Sequence, residues 1–136
     1  KLLEGADRGT VYVRVDYTDK SGRVYHNNYC LGKQKDMDYP KVDLQTEVHS
    51  IEGGYEVMVS SDKFARAVCL SVADNESVYS DNYFDVQPKS SVQVQVRTRL
   101  SAEAFNGSLR LTCLNNEFWY SPSGRWHASS VRMFFT

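Results

Sequence analysis

Apolar and polar residues alternate one for one through most of this chain. In residues 10–17, Val11, Val13 and Val15 alternate with Tyr12, Arg14 and Asp16. A period of two belongs to a strand with one face turned towards a core. A polar stretch, TDKSG (18–22), separates this run from RVYHNNYCL (23–31), which predicts a hairpin. Further runs of strand character are VDLQTEV (42–48), YEVMVSS (55–61), FARAVCLSVA (64–73), SVQVQVRT (91–98) and LRLTCL (109–114). Turn signals stand between them at EGG (52–54), DK (62–63), DNES (74–77) and NGS (106–108). LSAEAF (100–105) reads as one helical turn, and no segment carries a helical apolar stripe over more than two turns. Short strands at this spacing predict an all-β protein, an antiparallel immunoglobulin-like β-sandwich. The expected division is a leading β-hairpin and connector at 1–40, a sandwich core at 41–114 and a C-terminal hairpin extension at 115–136.

One stretch breaks the alternation. YSDNYFDVQP (79–88) sets large rings among turn residues. Asp81 and Asn82 form turns because their side chains bond nearby backbone and tolerate left-handed dihedrals. Phe84 and Val86 then share one strand face, with Tyr83 and Asp85 on the other. Pro88 and Lys89 make a second turn, the proline ring presetting φ. The expectation is a structural motif, a short crossing segment in which Phe84 plugs the space between two sheets and Tyr83 lies along the rim.

Composition narrows the function classes. A chain of 136 residues, 41% apolar and 24% charged, holds one domain with a real core. Sixteen basic and 17 acidic residues leave a net charge of −1, without the basic stripe of a nucleic-acid binder. No apolar run approaches the ~20 residues that span a bilayer, so no membrane partner is expected. The chain opens at Lys1 with neither an initiator Met nor a signal-peptide pattern, and is read as a piece of something longer. Cys30, Cys69 and Cys113 are odd in number and lack CxxC spacing, which suits free thiols in or near the core. His26, His49 and His127 lie far apart in sequence, and no glycine-rich phosphate loop exists, so no metal and no cofactor are expected. Asn75-Glu76-Ser77 and Asn106-Gly107-Ser108 are formal glycosylation sequons that read as turns.

A resemblance rests on these residues. FARAVCLSV, a short acidic loop, YSDNYFDVQP and a valine-alternating strand together resemble the C-terminal β-sandwich domain of glycoside hydrolase family 2 β-mannosidases. Those domains carry an SDN-(Y/F)-F-D stretch followed by Pro-Gly, after a strand ending in Leu-Ser. SDNYFD (80–85) matches and Pro88 stands where the family places it, while Lys89 replaces the usual glycine. The connector NNYCLGKQKDMDYPKVDLQTEV (27–48) resembles the family's join, with Cys30 in an aromatic position and Met37 in place of Leu. The likeness covers about residues 24–114 and leaves 115–136 without a counterpart.

The resemblance implies a parent that hydrolyses terminal β-mannosyl residues of oligosaccharides. This chain would be a non-catalytic accessory domain whose partners are the other domains of that enzyme. Residues 1–31 would be the last strands of a preceding sandwich, or strands added to this one. A bacterial parent would place it in the periplasm or outside the cell. Retaining glycosidases use two carboxylates about 5–5.5 Å apart; in the family they are glutamates on a (β/α)₈ barrel, which 136 residues cannot hold. Glu4, Glu47, Glu52, Glu56, Glu76, Glu103 and Glu117 are scattered over turns and strand ends, and none is expected to be catalytic.

The tail offers separate chemistry. FWY (118–120), SPSG and RWH (125–127) read as a hairpin with a four-residue loop, which sets Trp119 opposite Trp126. Two adjacent indoles can form a platform on which sugar rings stack, making Trp119 and Trp126 the candidate carbohydrate-binding residues. They can equally be a cross-strand aromatic pair packed on the core. Three function classes therefore follow: the accessory domain, a carbohydrate-binding module with an oligosaccharide partner, and an immunoglobulin-like adhesion or scaffold module.

Overall fold

Val57, Val59, Val94 and Val96 lose all contact with solvent, and their alternation organises one layer of the fold. The structure is a computed structural model that describes residues 4–33, 37–120 and 126–128, with side chains described as far as residue 116. The chain divides into two compact units, Lys1–Asp38 and Tyr39–Thr136.

The first unit is built on a hairpin. Strand β1 (Tyr12–Thr18) pairs antiparallel with β2 (Val24–Cys30), from Tyr12 opposite Cys30 to Thr18 opposite Val24. The Asp19 carboxylate ties the turn by accepting from the Ser21 and Arg23 amides at 2.8 and 3.0 Å. Bonds from the Ser21 hydroxyl and the Arg23 amide hold its pKa below the ordinary carboxylate value. Val13, Val15, Tyr17, Tyr25 and Tyr29 fall on one face by register and are all exposed.

The second unit is a β-sandwich. One sheet has the order β3-β4-β8-β6, from β3 (Gln45–Ile51), β4 (Gly54–Ser61), β6 (Val78–Tyr79) and β8 (Ser90–Arg97). The other has the order β7-β5-β9, from β5 (Ala65–Ser71), β7 (Phe84–Val86) and β9 (Arg110–Thr112). All their pairings are antiparallel. Val57 and Val59 of β4 sit opposite Val94 and Val92 of β8, with Val94 and Val96 also buried, and face Val68, Leu70, Phe84 and Val86 of the other sheet in one core cluster. Each such side chain contributes roughly 1.5–3 kcal/mol by leaving water. Gly53 takes a positive φ of 78° in the two-residue turn between β3 and β4. A Cβ on Gly54 would run into the Val96 carbonyl oxygen, so the β4–β8 contact needs glycine there.

Sequence expectation and structure differ in three places. NGS (106–108) is not a turn but the last part of helix α1 (Ala102–Ser108). The Ser101 hydroxyl caps the helix by accepting from the Ala104 amide, 3.2 Å away. Phe105 is fully buried and stacks on Tyr55 with centroids 4.2 Å apart, and that burial outweighs the local turn signal. Second, β3 starts at Gln45 rather than at residue 42, because the Val42 amide and carbonyl are taken by a side chain, that of Asn116. Third, LRLTCL (109–114) is a strand only over β9 (Arg110–Thr112), and Leu114 opens a single helical turn, α2 (Leu114–Glu117), that holds Asn115 and Asn116.

Phe84 is 9% exposed and Tyr83 is 72% exposed. Phe84→Ala is expected to cost about 3–5 kcal/mol in denaturant melts, the range for a buried ring, and Tyr83→Ala less than about 1 kcal/mol. Equal, small losses would show that the Phe84 ring is not part of the core. Lys89 holds φ at 56°, a conformation that suits glycine. Lys89→Gly removes about 1–2 kcal/mol of backbone strain and gives back about 0.4–1 kcal/mol through the freer unfolded chain. The variant should therefore be more stable than the natural chain, by up to about 1.6 kcal/mol, in the same melts.

Candidate functional site

Strand β5 carries an irregularity on which several side chains converge. Its pairing with β7 runs from Ala65 opposite Val86 to Val68 opposite Phe84, so β5 has one residue more than its partner. Ala67 takes a φ of 51° within this bulge. The Arg66 and Ala67 amides are bonded instead by side chains. Asn115 Oδ1 accepts from the Arg66 amide at 2.8 Å, and Asp85 Oδ1 accepts from the Ala67 amide at 3.0 Å. The second oxygen of Asp85 meets the Arg66 guanidinium at 2.6 Å, partly shielded from water.

The other residues of the 79–88 motif extend this clamp. The chain leaves the first sheet after β6 and enters the second at β7. Across the gap, Asn82 works as a piece of strand: its Oδ1 accepts from the Leu70 amide at 2.7 Å and its Nδ2 donates to the Leu70 carbonyl at 3.0 Å. Asp81 accepts from the Asn82 amide at 2.8 Å. Tyr83 takes a φ of 60° and points into solvent. Its hydroxyl bonds to Cys69, and that neighbour pushes the phenol pKa upward. Pro88 and Lys89 turn the chain into β8, closed by a 3.1 Å bond from the Ser90 amide to the Gln87 carbonyl.

Asn115 and Asn116 were not singled out by sequence. Asn115 is 1% exposed, and its Nδ2 donates to the Pro40 and Phe64 carbonyls at 2.7 and 2.8 Å. Asn116 brackets Val42, accepting from its amide at 3.1 Å and donating to its carbonyl at 2.9 Å. The available signal was two adjacent amides directly after the run LRLTCL (109–114), too short a pattern to separate from a turn.

The other candidates are dispersed. The backbone pairs β10 (Phe118–Tyr120) with β11 (Trp126–Ala128), setting Tyr120 opposite Trp126 and Trp119 opposite His127. The expected Trp119–Trp126 pair is thus corrected by one position, since five residues rather than four separate the strands. The two indole side chains lie outside the described residues. Among the described residues no three His, Cys, Asp or Glu side chains cluster as metal ligands. His49 lies 3.6 Å from the Glu47 carboxylate on an exposed surface, and Glu56 accepts from the Gln93 amide on the outer face of the first sheet. Cys30, Cys69 and Cys113 are not joined in disulfides. No helix among the described residues is long and apolar enough to cross a membrane.

An open groove of about 600 Å³ lies at one end of the first sheet. It is lined by Asp43, Gln45, Ser60, Ser61, Asp62, Lys89, Ser90 and Ser91, with no aromatic ring or branched aliphatic side chain among them. The arrangement can bond polar groups and cannot stack a ring.

The paired sheets, the side-chain clamp on β5 and, among the described residues, the absence of a helical layer define an immunoglobulin-like sandwich. An Ig-fold domain family, that of the mannosidase Ig domains, matches residues 39–117, more than half of the chain. The chain belongs to this family of mannosidase Ig-fold domains. No curated protein matches it.

The clamp can be tested by truncation. Asn115→Ala removes three bonds, to the Arg66 amide and to the Pro40 and Phe64 carbonyls, from a side chain that is itself 1% exposed. At about 1–3 kcal/mol for each buried group left unbonded, the loss should be at least about 3 kcal/mol. Asn82→Ala opens towards solvent and lets water replace part of the bonding, so about 1–2 kcal/mol is expected. Thermal or urea denaturation of the two variants checks both the size and the order of the effects.

Proposed function

We propose that the chain is a non-catalytic accessory domain of a β-mannosidase-like glycosidase, whose parent hydrolyses terminal β-mannosyl residues of oligosaccharides. The single observation that carries this reading is the membership of residues 39–117 in the mannosidase Ig-fold family. The architecture suits a supporting role. The polar side chains of the clamp are spent on the backbone: Asn82, Asp85, Asn115 and Asn116 all bond main-chain groups. Groups committed in this way hold a shape and are not available to attack a substrate.

The partners in this reading are the other domains of the parent. A two-stranded hairpin is marginal by itself in water, and β1–β2 presents Val15, Tyr17, Tyr25 and Tyr29 to solvent. That face supports a reading of residues 1–31 as strands that complete another sandwich of the same enzyme. The resemblance of the SDNYFD stretch to glycoside hydrolase family 2 β-mannosidases supports such a parent.

The test has two arms. The purified chain should release no product from aryl β-mannoside or aryl β-galactoside. Turnover that follows the pure protein and is lost on substituting a glutamate would overturn the proposal. In the parent glycosidase, deletion of residues 39–136 should lower thermal stability while leaving the preferred sugar unchanged.

A further inference from the structure

The end groove of the first sheet carries chemistry that the fold does not use. Register sets Gln45, Ser60 and Ser91 in one row across β3, β4 and β8, at the ~4.8 Å spacing of neighbouring strands. Asp62 and Lys89 stand on the turns at its rim. Among the described residues, the side chains of Ser60, Asp62, Lys89, Ser90 and Ser91 meet no hydrogen-bond or ion-pair partner. The Ser61 hydroxyl is committed to the Lys63 carbonyl and the Gln45 amide to Asp43. The open groups are thus hydroxyls that donate and accept, a carboxylate that only accepts and an ammonium that only donates.

This set selects a ligand class by exclusion. An apolar molecule would cover the open hydroxyls, the Asp62 carboxylate and the Lys89 ammonium without bonding any of them, which is costly. An anion meets two carboxylates, Asp43 and Asp62, against one ammonium. A metal ion finds no cluster of three ligands among the described residues. A neutral molecule dense in hydroxyls satisfies every open group.

Lys89 is an independent observation. Its φ of 56° favours glycine, yet a lysine is held there by a 2.8 Å bond from its amide to the Ser61 carbonyl. Glycine would relieve the backbone but remove the side chain that lines the groove. Strain kept at a residue facing a groove of ligand size points to a functional role.

We propose that this groove is a saccharide-binding subsite that reads hydroxyl groups of a neutral oligosaccharide. Asp62 accepts from adjacent sugar hydroxyls, Lys89 donates to ring or hydroxyl oxygens, and the Gln45–Ser60–Ser91 row bonds the sugar edge. Without a stacking ring the affinity falls in the millimolar range. The proposal goes beyond the accessory-domain reading, and the two fail separately: an inactive chain that binds no sugar would leave that reading intact.

The test is a titration of the isotope-labelled 136-residue chain with β-1,4-mannotriose and with cellotriose, followed by amide NMR. Saturable shifts are expected at Gln45, Ser60–Asp62 and Lys89–Ser91. Asp62→Asn should weaken binding about tenfold, as expected for loss of one charge-assisted bond. Lys89→Gly should bind several-fold more weakly while melting at a higher temperature than the natural chain, which separates lost binding from lost folding. No shift at these amides up to the solubility of the sugars would overturn the proposal. So would shifts confined to residues 118–128, or unchanged affinity in a stable Lys89→Gly variant.

Discussion

The sandwich depends on how the extra residue in β5 is accommodated. A bulge takes two amides, those of Arg66 and Ala67, out of the ladder with β7. Buried donors without partners are costly, so the fold needs acceptors at that point. Asp85 supplies one from within β7 and Asn115 supplies the other from α2. Asn82 does the same for Leu70 further along the strand. Three side chains from three segments thus replace ladder bonds on one strand. The motif DNYFD is compact because Asn82 and Asp85 bond the strand while Phe84, between them, is buried in the core.

The same constraint explains why α2 matters despite its length of four residues. Asn115 joins Pro40 and Phe64 to the bulge, and Asn116 holds Val42. The lead-in to β3 is therefore secured by side chains from the far end of the domain. Such contacts, separated by about 75 residues in sequence, order late in folding because closing a long loop costs entropy before any bond forms. A family match that ends at residue 117 takes in this helical turn, consistent with α2 being part of the domain's own structure.

Two groups of residues are left over once the core and the clamp are accounted for. One is the apolar face of the β1–β2 hairpin, which the accessory-domain reading assigns to other strands of a glycosidase. The other is the polar groove around Ser60, Asp62 and Lys89. They differ in kind. The first is a broad surface that gains by leaving water, the second a recess whose gain comes only from matched hydrogen bonds. In the two proposals made above, the first holds the domain in place and the second meets a soluble ligand.

Strand alternation was legible from the residues alone, because the side chains of a strand must alternate across the sheet and a core tolerates few exceptions. It yields the sandwich and the β1–β2 hairpin and places Phe84 and Val86 on one face, while the turn at Pro88 was legible from the fixed φ of proline. The helical course of Asn106-Gly107-Ser108 was not legible, because burial of Phe105 against Tyr55 overrides a local turn preference. Nor was the register of Trp119, which shifts by one with the length of a loop. The roles of Asn115 and Asn116, and the gathering of Asp43, Asp62 and Lys89 at one groove, were decided by tertiary structure only. Each joins residues distant in the chain, and a hydrogen bond across such a distance leaves no periodic trace in sequence.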